Sequence, residues 1–128
     1  MRIAHCVLEP RYSGAEILVL GLVRAQMAAG VPTALIALRP AEGVFAMELK
    51  ALAELGCEIF VPPSRLGRVG RVLWIRRAIH KFHPNVVFAH SALPSVYSRC
   101  ALLGSSGVSL VTVLHTRRRL LRQGASNL

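Results

Sequence analysis

The first structural unit of the chain is specified by the sequence RIAHCVLEPRYSGAE, residues 2–16. Residues 2–8 form an apolar run that predicts a strand buried on both of its faces. Ser13 and Glu16 have the spacing of a capping box, which satisfies free amide groups at the start of a helix. Gly14 between them lets backbone approach closely. A buried strand that turns into a helix in this way predicts the first unit of an α/β domain.

The same alternation continues along the chain. Further strands are predicted at residues 33–38, 57–61, 86–89 and 110–114. Helices are predicted at residues 15–29, 44–55, 71–82 and 91–103, with residues 64–70 forming a loop before the third helix. Apolar strands joined by helices imply a parallel sheet with right-handed crossovers. We therefore expect an α/β fold: an open, Rossmann-like parallel sheet in the order 3-2-1-4-5, with helices on both faces. Residues 1–116 form this domain, and residues 117–128 form a basic tail.

The composition fits one domain with a full core, because the chain has 128 residues of which 53% are apolar. It carries 16 basic residues, mostly arginine, against 6 acidic ones, all glutamate. This excess suits contact with phosphate or anionic lipid, although a coding bias towards arginine would also produce it. Cys6 and Cys57 fall in apolar runs, which predicts reduced, buried thiols in a cytoplasmic protein. No signal peptide is recognised, and the longest apolar run, residues 17–23, is too short to span a membrane.

Polar residues follow three of the predicted strands at their carboxyl ends, where ligands bind in an open parallel sheet. Ser13, Gly14, Ala15 and Glu16 follow the first strand and would offer a helix N-terminus to a phosphate, or form a plain cap without a ligand. His90 ends the fourth strand, and His115 and Thr116 follow the fifth. A histidine there can hydrogen-bond a ligand, or simply a neighbouring carbonyl group. Three polar elements at one edge favour a ligand site.

The other histidines carry weaker signals. His5 lies inside the first strand and is predicted to be a packed core residue. His80 and His83 flank a helix end, where the helix dipole favours a cation. No pair of histidines has the spacing of metal ligands, and the chain contains no aspartate, so no metal site is predicted.

These residues resemble the N-terminal domain of a GT-B glycosyltransferase, and in particular of glycosyltransferase family 4. Such domains commonly read GGAE after the first strand, where this chain has Ser13, Gly14, Ala15 and Glu16. The passage HPNVVFAH, residues 83–90, is similar to the RPDVVHxH passage of that family. His115 and Thr116 resemble a later strand-end histidine. The likeness spans residues 1–116.

The resemblance implies retaining transfer of a sugar from a nucleotide-diphospho-sugar donor to a glycan or lipid-linked acceptor, with no metal or other cofactor. In this family the N-terminal domain holds mostly the acceptor, and its glycine turn faces the donor diphosphate. His90 then becomes the catalytic residue beside the transferred sugar. The substrate- and phosphate-binding residues are Ser13, Gly14, Ala15, Glu16, His115 and Thr116.

The chain also departs from the family. Ser13 replaces the first glycine of the turn, Phe88 the first histidine of HxH, and Asn85 an aspartate. The donor nucleotide of the family binds in a second domain with an E-x₇-E motif, and no glutamate here has another eight positions later. We therefore expect the donor-nucleotide domain to be absent and this chain to be inactive alone.

A dinucleotide-binding domain is one alternative. The turn after the first strand has one glycine instead of GxGxxG, and no acidic residue ends the second strand. Arg39 could bind a 2′-phosphate, so an NADP-type dinucleotide-binding domain remains an alternative interpretation.

A second alternative is binding to an anionic membrane at the inner face. Basic residues surround the third helix, which also carries Trp74, and such a helix can lie on anionic lipid or simply expose a solvated face. The basic residues are Arg65, Arg68, Arg71, Arg76, Arg77 and Lys81. Nucleic-acid binding is not expected, because aromatic residues are few and no recognised motif is present.

Overall fold

The computed structural model describes residues 1–8 and 14–113, and the side chains of all of these except residues 14 and 15. Within this part of the chain, strands and helices alternate strictly. The strands are β1 Ile3–Val7, β2 Thr33–Ala37, β3 Glu58–Phe60, β4 Val86–His90 and β5 Ser109–Val113. The helices are α1 Gly14–Ala28, α2 Gly43–Glu54, α3 Arg68–Phe82 and α4 Ala92–Ala101. The α/β class predicted from the sequence is confirmed.

The five strands form one parallel sheet in the order β3-β2-β1-β4-β5, which confirms the predicted order. β1 lies at the centre and pairs with β2 on one side and β4 on the other. Central strands of a parallel sheet are covered on both faces, which explains why every residue of β1 and β2 is buried.

Two separate cores lie on the two faces of the sheet. On one face, Ala4, Cys6 and Ile36 pack with Ile75 and Phe82 of α3. On the other face, residues of β1 and β2 pack with α1 and α2, namely Val7, Leu35, Val19, Val23, Phe45 and Leu52. The helices therefore cover both faces, as predicted. Successive residues of a strand point to opposite faces, so β1 and β2 each supply both cores.

The third helix differs from its prediction at its start. The sequence predicts a loop over residues 64–70, but α3 already begins at Arg68, after Gly67. Gly70 belongs to the predicted loop, but in the structure it lies in the first turn of the helix. A helical glycine costs about 1 kcal/mol relative to alanine, which a helix anchored by buried residues such as Ile75 and Ile79 can absorb. At the other end His83 adopts a left-handed conformation with φ of 55° and caps the helix before Pro84.

The thiols follow the expected distribution. Cys6 and Cys57 are buried, and Cys100 is exposed. Burial raises the pKa of the Cys6 thiol to about 12. Burial, with a smaller contribution from the nearby Glu58 carboxylate, raises the pKa of Cys57 to about 11. Both buried cysteines therefore behave as small apolar core residues.

Candidate functional site

The strand order reverses between β1 and β4, which is where an open parallel sheet binds ligands. Cys6 of β1 and Ala89 of β4 are register partners just before this carboxyl edge. β4 then ends at His90. The sequence prediction that His90 lies at the switch point of the sheet agrees with this geometry.

His90 is more enclosed than a residue at a strand end usually is, because its side chain is only 4% exposed. Its Nε2 atom lies 2.9 Å from Nδ1 of His5, within hydrogen-bonding distance. The two imidazole rings are also stacked, with centroids 5.2 Å apart and an angle of 26° between the planes. The ring of His90 at the switch point is therefore held by a buried neighbour, and only a small part of the residue reaches the surface.

His5 connects this pair to helix α1. Its Nε2 atom lies 2.7 Å from Oε1 of Gln26. Phe88 is the register partner of His5 and stacks on its ring at 5.4 Å. Because alternate residues of a strand share a face, Phe88 and His90 lie on the same face of β4, towards α1.

The prediction that His5 is a packed core residue is correct as to burial, since His5 is 1% exposed. The sequence predicts neither the two hydrogen bonds of His5 nor the part that Gln26 plays in one of them. Their only sequence signal is indirect, because the order 3-2-1-4-5 makes β1 and β4 neighbours. Residues 85 positions apart then meet.

Burial is also the main electrostatic influence on His5. It lowers the pKa of His5 below its ordinary value of 6.5, and the hydrogen bond to Gln26 offsets only part of this effect. His5 is therefore neutral at pH 7. A neutral imidazole has one N–H donor and one bare acceptor nitrogen, which is what two hydrogen-bonded neighbours of opposite kind require.

The residue that follows His90 has an unusual backbone. Ser91 has φ of 85° and ψ of 176°, a region that residues other than glycine rarely occupy. Its N–H donates to the carbonyl oxygen of Val113 at 2.8 Å, which ties the end of β4 to β5. Such strain costs about 1–3 kcal/mol and is concentrated at functional sites. It is a second sign, missed in the sequence, that this edge is a site.

The turn after β1 is described only in part. α1 begins at Gly14, so the predicted glycine stands at the N-terminus of the helix. Glu16 lies in the first turn, where a negative charge is favourable to the helix dipole. Ser13 and the side chain of Ala15 lie outside the described residues.

The predicted residues after β5 also lie outside the part of the chain that the structure describes. β5 is described up to Val113, the register partner of His90. The proposed roles of His115 and Thr116 remain predictions.

The basic residues near α3 do not share one surface. Arg65, Arg68, Arg76, Arg77 and Lys81 are exposed. Arg71 is half-buried instead, with its guanidinium over the ring of Tyr97 and an Nη1 donor 3.3 Å from the Tyr97 hydroxyl. Trp74 is also turned inward, and its Nε1–H lies 3.3 Å from the Phe60 carbonyl oxygen.

Two exposed apolar side chains complete the outer surface of α3. Val69 is 73% exposed and Leu73 is 59% exposed. Beside them, a cleft of about 410 Å³ between β3 and α3 is lined by residues that include Trp74, Arg77 and Lys81. In the described part of the chain, no helix is both long and apolar enough to cross a bilayer.

Comparison with known proteins identifies the class. The family model of Glycosyltransferase Family 4 matches residues 12–127. The chain belongs to glycosyltransferase family 4, as the residues quoted above predict. No curated protein sequence matches it significantly.

A solved glycosyltransferase structure shows the same fold. A crystal structure of a glycosyltransferase from Rickettsia africae ESF-5 superimposes with a TM-score of 0.62 at 16% identity, over 87% of this chain and 29% of that one. The universal stress protein from Archaeoglobus fulgidus gives a TM-score of 0.46 at 11% identity, over 88% of this chain and 97% of that one. This chain thus spans less than a third of the Rickettsia glycosyltransferase.

Proposed function

We propose that this chain is the acceptor-side, N-terminal domain of a retaining glycosyltransferase. The complete enzyme would transfer a sugar from a nucleotide-diphospho-sugar to a glycan or a lipid-linked acceptor in the cytoplasm. The observation that carries the proposal is the position of His90, a hydrogen-bonded histidine at the switch point between β1 and β4. Membership of glycosyltransferase family 4 supplies the reaction class.

The chemistry of the transfer explains what this edge of the sheet would do. Departure of a nucleoside diphosphate builds negative charge on the leaving phosphate and positive charge on the sugar ring. The N-terminus of α1, which begins at Gly14, would present backbone N–H groups to the diphosphate. His90 would sit against the transferred sugar, where a fixed dipole stabilises developing charge without reorganising. The proposal includes no metal and no other cofactor.

A second domain completes the proposed enzyme. In this family the donor nucleotide is gripped mainly outside the N-terminal domain, and this chain covers 29% of the related glycosyltransferase. We therefore expect the chain alone to bind ligands weakly and to transfer no sugar.

Nuclear magnetic resonance titration of the ¹⁵N-labelled chain tests the proposal. Nucleotide-diphospho-sugars with different bases and sugars, and polyprenyl phosphates as acceptor analogues, are added separately. We expect at least one of them to shift the amide signals of Gly14, His90 and Ser91 at millimolar concentration. His90→Asn should weaken that response, whereas Arg99→Gln, an exposed change on α4, should leave it unchanged.

Two results would contradict the proposal. One is a titration in which none of the sugar nucleotides or acceptor analogues shifts the signals near His90. The other is a selective response of the same edge to NADPH, with shifts around Arg39, which would favour a dinucleotide-binding domain instead.

A second candidate role is association with an anionic membrane, and the outer surface of α3 favours it. Exposed Val69 and Leu73 lie on the same helix as Arg76, Arg77 and Lys81. Apolar side chains can enter the lipid interface while the cations contact its phosphates. This role is compatible with transfer to a lipid-linked acceptor.

Sedimentation with vesicles tests this second role. We expect the chain to sediment with vesicles that contain phosphatidylglycerol and not with pure phosphatidylcholine. The double change Arg76→Glu and Arg77→Glu should abolish sedimentation. The control reverses two exposed charges elsewhere, Lys50→Glu and Arg99→Glu, and should reduce it less. Equal sedimentation with both kinds of vesicle would contradict the idea.

A further inference from the structure

Three side chains form a continuous hydrogen-bonded line from helix α1 to the end of β4. Oε1 of Gln26 is 2.7 Å from Nε2 of His5, and Nδ1 of His5 is 2.9 Å from Nε2 of His90. Both rings are almost completely buried, at 1% and 4% exposed. The bond between the two rings is therefore shielded from water, and each bond needs one donor and one acceptor.

The hydrogen bonds run in one direction along this line, because the atom that Gln26 presents to His5 is its amide oxygen. The amide oxygen of Gln26 accepts hydrogen bonds and cannot donate them, so His5 must carry its proton on Nε2. Since burial keeps His5 neutral, its Nδ1 is bare and acts as an acceptor. His90 must then donate from Nε2. The glutamine thus determines which nitrogen of a histidine two steps away holds the proton.

A second proton on His5 would break this arrangement, because it would occupy Nδ1 and place an N–H against the N–H of His90. The arrangement therefore requires His5 to stay neutral, which its burial favours.

We propose that His5 and Gln26 are positioning residues, which hold the His90 ring in place and fix its proton on Nε2. For catalysis, this inference rests on the proposed function, in which His90 stands beside the transferred sugar. Phe88 supports the same arrangement, because its ring stacks on that of His5. His5 and Gln26 themselves contact no substrate in this scheme.

The ring nitrogens can be observed directly in the chain labelled with ¹⁵N-histidine. Two-bond ¹H–¹⁵N correlation spectra distinguish a protonated ring nitrogen from a bare one. At pH 7.5 we expect Nε2 to be protonated in both His5 and His90, and Nδ1 of His5 to be bare. A bare Nε2 on His90 in the unmodified chain would overturn the inference without any variant.

Matched variants then test the line one member at a time. Gln26→Glu keeps an acceptor oxygen and, at a pH high enough to keep His5 neutral beside the carboxylate, should leave the proton on Nε2 of His90. Gln26→Leu removes the acceptor and should raise the fraction of His90 with a bare Nε2 by about threefold. His5→Phe keeps a ring stacked on Phe88 but removes both nitrogens, and should raise that fraction by about tenfold.

A purely structural role for His5 predicts a different pattern. In that case His5→Phe, which keeps the packing, would leave the ring signals of His90 unchanged, and this result would overturn the inference. Amide spectra of each variant confirm that it is folded. The tautomer experiment uses no sugar donor and no sugar acceptor. A failed titration with those ligands would therefore refute the proposed function alone. Wrong tautomers would refute the positioning role alone.

Discussion

The two faces of the central strand pair both bury most of their residues, although Phe88 is only half-buried, and they differ chemically. On the face towards α3 and α4, the strands present small or apolar side chains: Ala4, Cys6, Val87 and Ala89. On the face towards α1 they present three rings: His5, Phe88 and His90. Both sets come from the same two strands, at alternate positions. Burial alone therefore does not distinguish a structural face from a candidate site.

What distinguishes the faces is how their polar atoms are satisfied. A buried polar group without a partner costs about 1–3 kcal/mol, so it must be bonded or absent. At these four positions the face towards α3 carries no polar side-chain atom except the Cys6 thiol, which is hydrogen-bonded to Ser98. On the face towards α1, the polar side chains are hydrogen-bonded to one another. Because strands have a period of two, one pair of strands can hold a dry core and a polar network back to back.

The largest effect is expected when a polar group is placed on the dry face. Val87 is fully buried, and its register partner is Ala4. Val87→Asn loses the burial of an apolar side chain and encloses an amide among apolar neighbours. We expect a loss of about 3 kcal/mol or more in the free energy of unfolding, measured by urea denaturation.

A matched control separates polarity from size. Val87→Ile adds one methylene group to the same core and should cost about 1–3 kcal/mol through overpacking alone. If Val87→Asn proved no more harmful than Val87→Ile, the dry face would tolerate polar groups and the contrast between the faces would fail.

An intermediate effect is expected on the polar face, and it depends on pH. His5→Phe leaves the Nε2–H of His90 and the amide oxygen of Gln26 without their partner. At pH 8 this should cost about 1–3 kcal/mol. The folded-state pKa of His5 is lowered by burial, so the unfolded chain binds more protons below the ordinary value of 6.5. The contribution of His5 is therefore complete above that pH and is lost as the pH falls through the folded pKa.

The stability difference between the unmodified chain and His5→Phe should consequently shrink from pH 8 to pH 5. Urea denaturation of both proteins across this range measures it, and subtraction removes the contributions of the histidines that do not contact His5. A difference that grows on acidification would mean that His5 is more basic in the folded state, contrary to its buried environment.

The fold was predictable because its signals repeat along the chain. Apolar strands, helix stops at Gly30 and Gly56, and Pro84 before β4 fix the element order, and crossover handedness then restricts the topology. The start of α3 was not predictable, because a glycine at position 70 is typical of a loop until the burial of Ile75 and Ile79 is known.

The site was predictable only where it depends on topology. His90 could be located at the switch point from the strand order alone. The bonds to His5 and Gln26 could not be found, because they depend on the β1–β4 register and on which side of α1 faces the sheet. The inward position of Arg71 could not be predicted either, since the sequence shows its charge but not the Tyr97 ring beneath its guanidinium.

The smallest effect is expected at the exposed side of α1. Arg24, two residues before Gln26, forms an ion pair with Glu48 of α2, and the two side chains are 49% and 30% exposed. Water and salt screen such a pair, so Glu48→Gln should lower the free energy of unfolding by about 0.2–1 kcal/mol. Raising the salt concentration to about 1 M should remove most of this difference. Glu54→Gln, at the end of the same helix, is the control for losing a negative charge. A loss as large as that of His5→Phe would show that exposure does not weaken polar contacts on this face, and the contrast between buried network and surface pair would have to be abandoned.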